Sequence, residues 1–205
     1  MINNNVSPRT KKMVLLAILG AIMLILAFTP LGYLKVGVIE ISFMMIPVAV
    51  GAIVLGPDAG AVLGGIFGAT SFIQALGMSP FGVALMSINP FYTFLLTMIP
   101  RVLMGWLTGL LFQSLYRNYS TRKISYGAAG LSSALLNTIF FMTFLILLFG
   151  NTEYIKSFRG DMALLPFVTA FVGLNGLVEA VVTTILGGAI GRALISYRQS
   201  IYAEE

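Results

Sequence analysis

The residues able to do chemistry in this chain are few, and they stand inside apolar runs. Arg101 lies in the middle of the run Phe91–Leu111. At about 1.5 Å per residue, that run is long enough to cross the roughly 30 Å hydrocarbon core of a bilayer. A cation at that depth costs about 3 kcal/mol or more. It must face a protein interior, pair with an anion, or bind one. Thr93, Thr97 and Arg101 recur every four residues and therefore share one helix face. Asn175, Glu179 and Thr183 recur in the same way. Thr70, Ser71 and Gln74 close another apolar run, Asn137 sits inside a further one, and Asn89 precedes Pro90. A cation, a carboxylate, amides and hydroxyls make a set suited to recognising a small polar solute, above all an anion.

The same inventory excludes much. The chain has no histidine and no cysteine. Imidazole bases, thiolate chemistry and the usual zinc or haem ligands are absent with them, so no cofactor and no metal is expected. A Ser–His protease within the membrane is excluded. An aspartyl protease needs paired membrane aspartates, whereas Asp58 falls in a turn and Asp161 in a connection. Each polar residue also has a structural reading. Buried Ser and Thr commonly bond their own helix carbonyls, and Asn137 and Asn175 can act as glue between helices. Arg101 and Glu179 can neutralise each other, or pair while a solute takes the remaining guanidinium donors. Trp106 lies deeper and is expected to pack.

The elements that position these residues follow from composition. The chain is 58% hydrophobic and 9% charged over 205 residues, against about 25% charged in soluble domains. Its apolar segments are continuous rather than alternating, which favours helices over a barrel. The reading is an all-α membrane protein, one domain over residues 1–205. Six spans are expected: Lys12–Phe28, Ile41–Leu55, Ala59–Leu76, Phe91–Tyr116, Ser125–Phe149 and Met162–Ile195. Gly77–Pro90 reads as an ordered loop. Arg9, Lys11, Lys12, Arg117, Arg122, Lys123, Arg192 and Arg198 fall on one side of such a bundle, and Lys35, Lys156 and Arg159 on the other. That bias places both termini in the cytoplasm of a cell with this protein in its plasma membrane. The net charge of +5 reports orientation, not nucleic-acid binding.

In this topology the polar groups converge between the midplane and the outer surface, beneath Gly77–Pro90, Lys35 and Glu40. Pro100 removes a backbone donor and frees the carbonyl of Leu96, which predicts a bend beside Arg101. Gly56, Gly60, Gly64 and Gly68 recur every four residues, as do Gly105 and Gly109, and Gly187 and Gly191. Such stripes let helix backbones approach closely, either within the bundle or against a sliding partner.

Three further runs carry a resemblance. They are Phe67-Gly68-Ala69-Thr70-Ser71-Phe72-Ile73-Gln74-Ala75-Leu76-Gly77-Met78-Ser79-Pro80-Phe81-Gly82, then Asn89-Pro90-Phe91-Tyr92-Thr93, then Pro100-Arg101-Val102-Leu103-Met104-Gly105-Trp106. Together with Ala17-Ile18-Leu19-Gly20-Ala21 and the whole-chain pattern of spans, they resemble the substrate-binding S-components of energy-coupling factor (ECF) vitamin transporters, in the branch assigned to pantothenate.

The resemblance implies a vitamin-binding subunit that works with a transmembrane T-component and two cytoplasmic ATPases. Ala17 and Ala21 would form the docking surface for the T-component. Pantothenate carries a carboxylate, an amide, two hydroxyls and a gem-dimethyl group. Arg101 would take the carboxylate, and Asn137, Asn175, Gln74 and Asn89 the amide and hydroxyls, with Thr97 and Glu179 in the same site. The chain has no nucleotide-binding motif, which agrees with ATP being handled by other subunits. The rival readings are an S-component for another vitamin and a self-sufficient or proton-coupled carrier with Glu179 as its titrating group.

Overall fold

The computed structural model describes residues 7–30, 32–36 and 39–203, so the domain read over residues 1–205 extends beyond the described residues at both ends. Helix α1 (Pro8–Phe28) leads into a hairpin of β1 (Tyr33–Val36) and β2 (Ile39–Ser42). Then follow α2 (Met45–Leu55), α3 (Pro57–Gln74), α4 (Pro80–Ile88), α5 (Pro90–Arg117) and α6 (Ser125–Phe149). The chain ends with α7 (Glu153–Arg159), α8 (Leu164–Val182), a π-helical turn (Thr183–Gly187) and α9 (Gly188–Ala203).

Four helical stretches are long and apolar enough to cross a membrane: Arg9–Phe28, Pro90–Arg117, Ser125–Phe149 and Leu165–Ser196. Helix α2 is apolar but short, at 11 residues. Helix α3 has 18 residues, diluted by glycines and polar groups. The bundle is inside-out relative to a soluble protein. Met13, Ile18, Ile25 and Phe28 of α1 and Leu174, Leu177 and Ile185 near the chain's end are exposed, while Arg101, Asn137, Asn175 and Glu179 are buried.

Two expectations need correction. The chain is not purely α. Tyr33–Val36 and Ile39–Ser42 pair antiparallel, with Tyr33 opposite Ser42 and Lys35 opposite Glu40. The cause is visible in Ile39-Glu40-Ile41-Ser42, where β-branched and polar residues alternate with the period of a strand. The helix expected from Ile41 therefore starts at Met45. The expected loop Gly77–Pro90 contains α4. Ser79 caps it, its hydroxyl accepting the Gly82 N–H at 3.5 Å, with Pro80 in the first turn. Proline is well suited there, because the first helical N–H groups have no partner within the helix. The last expected span runs without a break through the π-helical turn, which sits where Gly130 of α6 lets the Thr183 carbonyl come close.

The largest helix interface joins α3 and α5. A Cβ at Gly60 would strike the carbonyl of Gly105, one at Gly64 that of Arg101, and one at Gly68 that of Thr97. The glycine stripe is thus an internal seam that draws two backbones together. One apolar cluster gathers Met23, Met45, Val48, Leu63, Phe67 and Met104. A second, toward α4 and α7, gathers Leu85, Leu96, Leu145, Phe149, Ile155 and Phe167.

Candidate functional site

Where the two apolar clusters meet, the structure encloses a cavity of about 140 Å³. That is on the order of ten times what one water needs by the same measure. Phe67 of the first cluster and Leu85 and Leu96 of the second contribute to its wall. Phe81 and Gly82 of α4 join Leu85, and the polar groups come from five other elements. Ser71 and Gln74 stand at the end of α3, Thr93, Thr97 and Arg101 on α5, Asn137, Thr138 and Phe141 on α6, Val172, Asn175 and Glu179 on α8, and Ser42 at the end of β2. Helical spacing explains each set. Asn137 and Phe141 are one turn apart, as are Thr93, Thr97 and Arg101, and as are Asn175 and Glu179.

Arg101 is 8% exposed. Its Nη1 donates to the carbonyl oxygen of Leu96 at 2.7 Å. Its Cζ lies 5.4 Å from the Phe67 ring centre and 4.8 Å from that of Phe141. A desolvated cation–π contact contributes about 1–2 kcal/mol, and a charged hydrogen bond about 1.5–3 kcal/mol. Together they are of the size of the penalty for placing an arginine at membrane depth, about 3 kcal/mol on insertion scales. The guanidinium is buried and held in place at the cavity wall, a setting that suits an anionic group.

Glu179 is buried, and its Oε1 accepts the backbone N–H of Ser42 at 2.7 Å. Among the described residues the ion pair is Lys156 with Glu153, at 3.6 Å on the surface. Arg101 and Glu179 line one cavity without forming an ion pair with each other. Gln74 is partly committed, since its Nε2 donates to the Ala27 carbonyl at 2.6 Å and ties α3 to the end of α1. Thr93 and Thr97 back-bond to Asn89 and Phe94 at 2.9 and 3.0 Å, the structural role expected of membrane threonines. Asn137 differs. Its Oδ1 is buried with no hydrogen-bond partner among the described residues, an acceptor aligned with a role in holding a solute.

Asn89 is the one expected site residue that the structure does not bring to the cavity. It caps α5 instead, its Oδ1 accepting the Tyr92 N–H at 3.0 Å. The Asn-Pro pair is a helix-start signal, and that signal explains the residue without any ligand. The residues missed in the sequence are the aromatic walls Phe67 and Phe141, the neighbouring Thr138, and Ser42. Phe141 was legible as one turn beyond Asn137. Ser42 was not, because it reaches the site only through the hairpin. Ala17 and Ala21 are exposed on α1 and do not line the cavity.

A family model for the substrate-specific component of ECF transporters matches residues 11–187. The chain belongs to this family. This S-component is 32% identical over 196 residues to the pantothenate transporter PanT of Leuconostoc mesenteroides subsp. mesenteroides, covering 91% of this chain and 93% of that one. It is 26% identical over 168 residues to the pantothenic acid transporter PanT of Lactococcus lactis subsp. cremoris, covering 78% of this chain and 80% of the relative. The S-component is a transport protein rather than an enzyme, and a multi-pass protein of the bacterial plasma membrane.

Proposed function

We propose that this S-component captures pantothenate from outside the cell and delivers it to a transmembrane T-component driven by two cytoplasmic ATPases. The observation that carries the reading is the buried Arg101 guanidinium, bordered by Phe67 and Phe141 at the edge of a mostly apolar cavity with a few polar groups set into it. Its planar fork matches a carboxylate. The Asn137 carbonyl oxygen would accept from a ligand hydroxyl or amide, with Asn175 beside it. The rings and Val172 would cover the gem-dimethyl group. Thr97, Gln74 and Glu179 shape the same wall. The names of the two relatives support pantothenate as the vitamin.

In this reading residues 1–205 form a single membrane domain that crosses the bilayer six times, with α2 and α3 as the second and third crossings. Both termini lie in the cytoplasm, and the cavity opens toward the hairpin end, outside. Ala17 and Ala21, exposed on one face of α1, form the docking surface for the T-component.

The test uses purified chain in liposomes, with labelled pantothenate. The chain alone should bind the label at one site per molecule and transport none. Uptake should appear when the T-component, the ATPases and ATP are added. Transport by the chain alone would make it an autonomous carrier. A different vitamin identified by mass spectrometry in the purified protein would replace pantothenate.

A further inference from the structure

Pro100 and Arg101 are neighbours in α5, and their relation decides where the charge points. Proline has no N–H, so the carbonyl four residues earlier, that of Leu96, receives no bond from the helix ladder. Leu96 is 1% exposed, and a carbonyl left unpartnered in such a place is costly. The Arg101 side chain turns back along its own helix and supplies the missing donor, Nη1 to Leu96 oxygen at 2.7 Å. That geometry keeps the guanidinium on the face it shares with Thr97, at the cavity and between the Phe67 and Phe141 rings. The backbone of the same segment is seated from behind, where Gly64 and Gly68 of α3 meet the carbonyls of Arg101 and Thr97.

We propose that Pro100 is a positioning residue for the anion site: by withholding an N–H from Leu96 it creates a fixed acceptor that aims the Arg101 guanidinium into the cavity. The inference rests on the reading that Arg101 receives the ligand's carboxylate. Any other residue at position 100 would bring its own N–H to Leu96, complete the ladder, and compete with the arginine for that carbonyl. The proline is then more than a bend. It couples the backbone of α5 to the direction of a side-chain charge.

The experiment compares pantothenate with its alcohol analogue, pantothenol, on the purified full-length chain and on Pro100→Ala. The parent should prefer the acid. Pro100→Ala should lose about tenfold in acid affinity, the scale of one charge-assisted hydrogen bond, and so narrow the acid-to-alcohol ratio. Its melting temperature should hold or rise, because alanine is the better helix former. A second arm reads stability alone. Arg101→Ala strands the Leu96 carbonyl and should lower the melting temperature; adding Pro100→Ala should recover it without recovering acid binding. An unchanged acid-to-alcohol ratio in Pro100→Ala, or no recovery of stability in the double variant, overturns the proposal. A parent that binds acid and alcohol alike removes the carboxylate reading, and the stability arm then judges by itself whether proline and arginine share that carbonyl.

Discussion

Ser42 and Glu179 are 137 residues apart in the chain and joined by one buried hydrogen bond, the Ser42 N–H donating to Glu179 Oε1 at 2.7 Å. Ser42 ends the hairpin, Glu179 stands in α8, and both line the cavity. The carboxylate therefore holds the end of the hairpin against the wall of the site. A buried backbone N–H is costly to leave unpaired, and this bond satisfies the one on Ser42. This relationship gives Glu179 a structural partner other than Arg101.

Glu179→Ala should therefore act on stability as well as on binding. It leaves the Ser42 donor buried without its acceptor, a loss of about 1–3 kcal/mol. Glu179→Gln keeps an oxygen in reach of that N–H and should retain most of the stability. Thermal unfolding of the purified variants, with and without ligand, checks this. Equal losses in the two variants would show that charge, not the bond to Ser42, is what Glu179 supplies.

Arg101→Ala should weaken pantothenate binding by about 2–5 kcal/mol, the range for removing one partner of a buried hydrogen-bonded charge pair. Arg101→Lys should recover only part, since an ammonium lacks the planar fork and stacks less well on the two rings. Calorimetric titration of both variants gives the answer. Full affinity in Arg101→Lys would mean that the site needs a positive charge but no particular geometry.

Orientation can be read with single cysteines, because the parent chain has none. Met78, before α4, and Ser120, between α5 and α6, are both exposed. In intact cells a cysteine at Met78 should react with an impermeant thiol reagent, and one at Ser120 only after lysis. The reverse pattern would invert the bundle and place the cavity on the cytoplasmic side.

Ala17→Trp combined with Ala21→Trp should abolish co-purification with the T-component and ATPases while leaving pantothenate affinity nearly unchanged. Both alanines are exposed, so bulk there pushes against a partner rather than against the bundle. Affinity and complex formation measured on one preparation separate docking from folding. Normal ATP-driven uptake in the double variant would remove this face of α1 as the docking surface.

The membrane class and most of the helices were legible in the residues alone. Long apolar runs can satisfy their backbone in lipid only as helices, so α1, α5, α6 and α8 were legible from composition. Polar residues too costly to face lipid had to turn inward, so Arg101, Asn137, Asn175, Gln74, Thr97 and Glu179 could be named from spacing alone. The orphaned Leu96 carbonyl followed from Pro100. Packing settles which donor answers it, that Glu179 accepts from Ser42, and that the glycine stripes are internal seams. Each of these is a contact between atoms brought together by packing, and linear periodicity carries a residue's face but not its partner. Asn89 caps α5 and does not line the cavity. An amide before a proline serves a helix cap or a ligand equally well in one dimension, and the fold shows the cap.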